Sequence, residues 1–268
     1  MDFDYRRPVQ VAEAIAWLRE NSEAKLLAGG QSLLAAMKLR LSEPSMLIDL
    51  QDLPELAGIR SQEGGLWIGA MCTHASVAGS PLVLQLAPML AQLAHGIGDQ
   101  QIRQRDTLGG SIANADPAAC WPAGVMALNG TVHTDRRQLP ADKFFTGLFS
   151  TAMEPDEVLL GVQFPCTQQA HYLKFEQSAS RFAMTGVAVA RLGSQVRVAV
   201  TGLGSGIYRW EAAELSLHRR FAPDALKNCF LEDGIAMGDI HASADYRAHL
   251  AAVLTRRTVQ HILESLAA

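Results

Sequence analysis

The sequence predicts an α+β fold in two parts, and three observations carry that reading. Near the N-terminus a helix, a strand, a glycine turn, a second helix and a second strand follow one another, the order of a small α/β unit. After Pro165–Gln169 the texture changes to strand-like runs that read as antiparallel. A long helical run, with alternating apolar and basic patches, closes the sequence.

Each element rests on its own signal. In "PVQVAEAIAWLREN" Val11, Ala14, Ile15 and Leu18 recur at helical spacing, with Pro8 at the start. "KLLAGG" reads as a short buried strand ending in glycines, and "SLLAAMKLRL" as a helix that opens right after the turn. "PSMLIDL", preceded by Pro44, is the next strand. From about Gly58, "GLWIGAMCTH" reads as a strand and "APMLAQLAHGIG" as a helix stopped by glycines. "GTVHTD" and "EVLLGVQFP" follow as strands. Beyond the boundary at Pro165–Gln169, "HYLKFEQ", "TGVAVARL" and "QVRVAVTGLG" are strands, and "DYRAHLAAVLTRRTVQHILESLA" is the C-terminal helix.

Composition excludes several classes. The 268 residues are 49% hydrophobic and 19% charged, with a formal net charge of −4. No lysine or arginine run forms a stripe, so no nucleic-acid footprint is expected. No apolar run approaches the ~18 residues of a membrane span. The opening "MDFDYRRPVQ" has no apolar core of a secretory signal, so a cytoplasmic protein is expected. Cys72, Cys120, Cys166 and Cys229 are too far apart for a CxxC motif and read as thiols. Any iron–sulfur cluster would then sit on another chain. The histidines show no HExxH or HxH spacing, so no metal site is expected.

Two glycine motifs point to chemistry. "AGGQS", Ala28 to Ser32, lies between a strand and a helix, and "TLGGS", Thr107 to Ser111, repeats its texture. Glycine allows positive φ and close approach of backbone to a ligand, and successive N–H groups can cradle a phosphate. A helix N-terminus behind the first motif adds a favourable dipole. Ser32, Thr107 and Ser111 offer hydroxyls. A single GG pair is more often just a tight turn; two such loops suit a ligand with two phosphates, without naming it. "TGLGSG", Thr201 to Gly206, imitates a dinucleotide fingerprint, but Ile207 stands where the last glycine belongs, so it reads as a turn. A nicotinamide-dependent dehydrogenase built on it is correspondingly disfavoured.

The stretches "AGGQSLLAAMKLRL" with "LIDL", "WIGAMCTHASV", "QIRQRDTLGGSIANADPAA", and "YLKFEQSASR" with "GLGSG" beyond resemble the FAD-binding medium subunits of the molybdenum hydroxylases, of the carbon monoxide dehydrogenase and xanthine dehydrogenase type. The resemblance spans nearly the whole chain. It implies a two-subdomain FAD-binding domain over residues 1–168, divided near 55, followed by a smaller α+β domain over 169–268. It further implies that Ala28, Gly29, Gly30, Gln31, Ser32 and Leu33 hold one side of the FAD pyrophosphate, and Thr107, Gly109, Gly110 and Ser111 the other. Ile97 would line the flavin, Leu159 would contact the cofactor, Lys174 would lie near the flavin, and Asp116 and residue 120 would approach its sugar portion. By bland readings Ile97 and Leu159 are core residues, Lys174 a strand charge and Asp116 a turn residue. In this sequence "DPAAC" puts Cys120 where the family usually has an acid, and a thiol is a poor acceptor.

The implied activity is that of an oxidoreductase subunit. Its partners would be a large molybdopterin subunit and a small 2Fe–2S subunit, with electrons passing through this FAD to an external acceptor. A non-catalytic scaffold with lost or weakened FAD binding is the alternative that Cys120 suggests.

Overall fold

The computed structural model describes residues 2–267. Its N-terminal unit is a three-stranded parallel sheet with Met46–Asp49 in the centre, flanked by Asp4–Arg6 and Ala24–Leu27. The central strand is buried at every position, so it carries an unbroken apolar run up to Asp49 rather than an alternation. Helix Val11–Glu20 lays Val11, Ala14 and Leu18 on this sheet. The turn after Ala24–Leu27 leads directly into helix Leu33–Lys38. The strand Asp4–Arg6 was not expected from the sequence: it is three residues long and mostly exposed, so it leaves no hydrophobic pattern.

The second unit is a five-stranded antiparallel sheet, in the order Ile59–Gln62, Gly65–Gly69, Leu159–Pro165, Thr131–Thr134 and Gln138–Pro140. Between Gly65–Gly69 and Thr131–Thr134 the chain inserts a run of short helices: His74–Ala78, Pro81–Leu86, Pro88–His95, Gln100–Arg105, Leu108–Asn114 and Cys120–Ala127. Two expectations are corrected here. The strand in "GLWIGAMCTH" ends at Gly69, and His74 opens a helix capped by Thr73, whose side chain accepts the Ser76 N–H. "TLGGS" is not a loop: Thr107 caps a helix that contains Gly109, Gly110 and Ser111.

A four-stranded antiparallel sheet follows, in the order Ala170–Glu176, Ala183–Leu192, Gln195–Thr201 and Tyr208–Arg209. Both of its faces are buried, and its sequence alternates accordingly. Val187, Val189, Val198 and Val200 belong to one core with Leu254, Val259 and Ile262 of the C-terminal helix Ala244–Ala267. Ala188, Ala190 and Ala199 belong to the core of the second unit, where they let helix Cys120–Ala127 pack closely. Each fully buried valine contributes roughly 1.5–3 kcal/mol, so four on one face anchor the C-terminal helix firmly. "TGLGSG" starts the connection between the last two strands of this sheet, Gln195–Thr201 and Tyr208–Arg209, with Gly202, Gly204 and Gly206 all at positive φ. No helix among the described residues is long and apolar enough to cross a membrane.

Candidate functional site

The first glycine motif is an open row of donors. Gly30 has φ +77, a conformation that L side chains rarely adopt. A Cβ on Gly29 would stand 2.5 Å from the Arg105 carbonyl oxygen and 2.6 Å from Asp106 Cα, so only glycine lets the first motif pack on the backbone just ahead of the second. Ser32 caps helix Leu33–Lys38 with its backbone alone, since its side chain makes no cap hydrogen bond. Among the described residues the N–H groups from Gly29 to Leu33 donate to no protein atom. Gly29 is buried, Gly30 and Leu33 are half-buried, and Gln31 and Ser32 are exposed; a consecutive set of N–H groups left free around a positive-φ glycine, at a helix start, is a surface concavity suited to a phosphate.

The second motif is built the other way. Thr107 N–H donates to Asp106 Oδ1 at 3.0 Å, Leu108 N–H to Cys72 O at 3.0 Å, Gly109 N–H to Ala70 O at 2.8 Å and Ser111 N–H to Thr107 O at 3.1 Å. Gly110 N–H donates to Thr107 Oγ1 at 3.1 Å. Neither Gly109 nor Gly110 has positive φ. Gly109 is required for packing, because a Cβ there would meet Ala70 Cβ at 2.6 Å and Ala70 O at 2.7 Å. The expectation that Thr107 to Ser111 cradle a phosphate with free N–H groups is therefore corrected: these N–H groups are satisfied by the protein. Thr107 Oγ1 is a cap acceptor, and Ser111 is the member of the motif that lines the neighbouring cavity.

That cavity, about 140 Å³, lies between the motifs. Gln31 and Ser32 from the first motif and Ser111 and Asn114 from the second helix supply polar wall. Ile97, Ile102 and Phe182 supply apolar wall. Asp116, Ser180 and Phe182 are shared with a second cavity of about 530 Å³, so the two form one extended groove. The hairpin 177–182 between them was not singled out by sequence. It is held by Gln177 N–H donating to Phe182 O at 2.9 Å and Arg181 N–H to Gln177 O at 2.8 Å. Arg181 has φ +59, a left-handed position that its sequence does not announce.

Asp116 enters the groove from a tight turn. Helix Leu108–Asn114 ends on Ala115 in the left-handed region, φ 47, which costs about 1–2 kcal/mol for a residue with a Cβ. The turn is fixed by Ala118 N–H donating to Asp116 Oδ1 at 2.8 Å. Gly202 N–H donates to Pro117 O at 2.7 Å, and Thr201 Oγ1 lies 2.6 Å from Pro117 O and 2.8 Å from Ala119 O. Burial raises the Asp116 carboxyl above its ordinary value.

Cys120 begins helix Cys120–Ala127, every residue of which is buried. It lines the cavity floor, and burial pushes its thiol up. Beneath it Tyr172 Oη is buried without a hydrogen-bond partner, and burial raises that phenol well above its ordinary value. Lys174 is not among the lining residues of the groove: its ammonium donates to Arg181 O and stands 3.4 Å from Glu176. Leu159 is 5% exposed and belongs to the core beneath the second helix. The structure thus brings Gln31, Ser32, Ile97, Ser111, Asp116 and Cys120 to one cavity; Ala28, Gly29, Gly30 and Leu33 adjoin Gln31 and Ser32 along the chain and do not line it.

These features fit an elongated dinucleotide: free N–H groups for a pyrophosphate, apolar walls for a ring system and polar walls for sugar hydroxyls. Comparisons agree. The profile of the FAD binding domain in molybdopterin dehydrogenase matches residues 1–167. The nicotine 6-hydroxylase medium subunit of Paenarthrobacter nicotinovorans is 35% identical, with 95% of each chain covered. The carbon monoxide dehydrogenase medium chain of Hydrogenophaga pseudoflava is 34% identical, with 96% of each covered. The solved carbon monoxide dehydrogenase of that organism superposes with a TM-score of 0.87 at 34% identity, covering 97% of this chain and 96% of that one. Quinoline 2-oxidoreductase from Pseudomonas putida 86 superposes with a TM-score of 0.88 at 29% identity, covering 99% and 98%. On these matches the chain belongs to the FAD-binding medium subunits of the molybdenum hydroxylases, oxidoreductase flavoprotein components.

Proposed function

We propose that this chain is the electron-transfer subunit of a molybdenum hydroxylase, taking electrons from 2Fe–2S clusters on a small partner subunit and delivering them to an external acceptor. A large molybdopterin subunit would carry out the oxidation of substrate. Relatives named as medium chains or medium subunits support a place among other subunits. The four cysteines are free, with Cys72, Cys120 and Cys229 buried and Cys166 exposed, which suits clusters supplied by a partner. We also propose the division at residue 168, where the loop between Leu159–Pro165 and Ala170–Glu176 links the second and third sheets.

The observation that carries the reading is the free N–H row from Gly29 to Leu33 beside the cavity. Those groups would hold the FAD pyrophosphate, with the Ser32 and Ser111 hydroxyls assisting and the helix Leu33–Lys38 behind them. Ile97 would pack on the flavin, and Asp116 and Cys120 would flank the sugar portion. Lys174 would act through space and Leu159 by shaping the core beneath. Bound FAD supplies reversible one- and two-electron transfer, which no side chain of the protein provides. The protein's part is to bind it, orient it and keep water from its buried side.

The test is the visible spectrum of the purified protein, and of apoprotein titrated with FAD. A flavin band near ~450 nm, retained through gel filtration, is the expected result. The scaffold reading, which Cys120 favours, predicts a protein that never takes up flavin. Co-purification of a molybdopterin chain and an iron–sulfur chain is the expected result for the assembly; purification alone from the native source would contradict it.

A further inference from the structure

A second line of side chains ends on the wall of the same cavity. Trp121 Nε1 lies 3.0 Å from His74 Nδ1, and both rings are fully buried. An indole N–H can only donate, so His74 Nδ1 must be the unprotonated acceptor and Nε2 must carry the proton. His74 Nε2 stands 3.2 Å from Asp106 Oδ2, close but not aligned as a hydrogen bond, which leaves it a buried donor in search of one. Asp106 is otherwise tightly fixed. Its Oδ1 accepts the Thr107 N–H at 3.0 Å, its carbonyl accepts the His74 N–H at 3.0 Å, and its own N–H donates to Ile102 O at 2.8 Å. Its side chain is 24% exposed and borders the cavity beside Ser111, Asn114 and Gln31.

A carboxylate has about four acceptor positions, and this one uses two at most within the protein. Asp106 lines a cavity whose other polar walls include the hydroxyls of Ser32, Ser111 and Ser180, the amides of Gln31 and Asn114, the Asp116 carboxylate and Arg181. We propose that Asp106 contacts the cofactor directly, accepting a hydrogen bond from a sugar or ribityl hydroxyl of FAD, and that His74 and Trp121 are positioning residues that hold its carboxylate. Asp106 then supplies the charged acceptor that position 120, with its buried thiol, does not. The Thr107 N–H donates to the carboxylate, and the His74 Nε2–H lies against its other oxygen at 3.2 Å without an aligned hydrogen bond. This inference rests on the reading that the cavity receives FAD.

The experiment is FAD titration of apoprotein carrying Asp106→Asn or Asp106→Ser, with the melting temperature of each apoprotein measured alongside. Both substitutions keep an oxygen that can accept from Thr107 N–H, and both remove the charge. A charge-assisted hydrogen bond corresponds to a loss of about ten- to a hundredfold in affinity, and that loss is expected with the melting temperature unmoved. Trp121→Phe should weaken FAD by a smaller factor in the wild type and add nothing in the Asp106→Asn background, since it acts only through the carboxylate. Wild-type affinity in both Asp106 variants would overturn the proposal. So would a fall in affinity that tracks a fall in apoprotein melting temperature, which would make Asp106 a structural cap. Wild-type protein that takes up no FAD would instead overturn the cofactor reading itself.

Discussion

The two glycine motifs look alike in sequence and are opposites in structure. In Ala28 to Ser32 the glycines free the backbone: Gly30 sits at φ +77, and the N–H groups from Gly29 to Leu33 donate to no protein acceptor among the described residues. In Thr107 to Ser111 the glycines close the backbone: every N–H from Thr107 to Ser111 is donated within the protein, and Gly109 is pressed on Ala70. On the proposed reading the first motif is the receptor and the second a brace, with Gly29 packed on Arg105 and Asp106 just ahead of the second motif. Glycine's small size serves both, which is why its presence alone does not say which.

Substitutions separate the two roles. The largest effect on flavin is expected at Gly30→Val. A β-branched residue at φ +77, with its Cβ 2.9 Å from Leu34 Cδ1, cannot keep the row of N–H groups in place. The protein should purify without flavin, and retained flavin would show that the first motif is not the receptor. The largest effect on folding is expected at Gly109→Ala, where overpacking against Ala70 costs about 1–3 kcal/mol. Thermal unfolding of the apoprotein should show it, with flavin lost only as a consequence. Thr107→Ala removes the cap on Gly110 N–H and should lower apoprotein stability by about 0.5–2 kcal/mol, again with little direct effect on FAD.

Smaller effects are expected around the sugar portion and the flavin. Cys120→Asp places a carboxylate beside the unpartnered Tyr172 Oη at the cavity floor. Apoprotein titration should show tighter FAD binding, by less than about tenfold because Asp106 already supplies an acid to the same cavity. No gain would mean that residue 120 is a core thiol facing Tyr172 and Trp121 rather than the cofactor. Lys174→Met removes a positive charge that favours anionic reduced flavin and should lower the reduction potential. The shift should be the smallest of the set, since Glu176 at 3.4 Å already offsets that charge. An unmoved potential would leave Lys174 as a strut for the 177–182 hairpin, through its bond to Arg181 O.

Much of this was legible in the sequence, and the parts that were not have physical reasons. The strands at Ala24–Leu27, Met46–Asp49 and Leu159–Pro165 are rich in apolar residues with glycine or proline close by, and Thr131–Thr134 follows Gly130 and alternates half-buried with buried positions. The valine–alanine alternation of Ala183–Leu192 reads directly as a strand with two buried faces. Helix Cys120–Ala127 was not read, because a helix buried on all sides has no polar face and hence no periodicity. Helix Leu108–Asn114 was not read because adjacent glycines argue for a turn. Of the groove, Gln31, Ser32, Ile97, Ser111, Asp116 and Cys120 came from the motif register. Phe182, Asp106 and His74 did not: they reach the cavity through a hairpin and two caps that no local pattern encodes.

The most direct test of the contrast is amide hydrogen exchange, residue by residue, in apoprotein and in protein saturated with FAD. Amides bonded within a stable fold exchange slowly, and free ones exchange fast. The account predicts that Gly29 to Leu33 exchange fast without FAD and become protected with it, while Leu108 to Ser111 are protected in both states. If Leu108 to Ser111 were open in the apoprotein and gained protection with FAD as Gly29 to Leu33 do, or if Gly29 to Leu33 gained none, the division into receptor and brace would be contradicted.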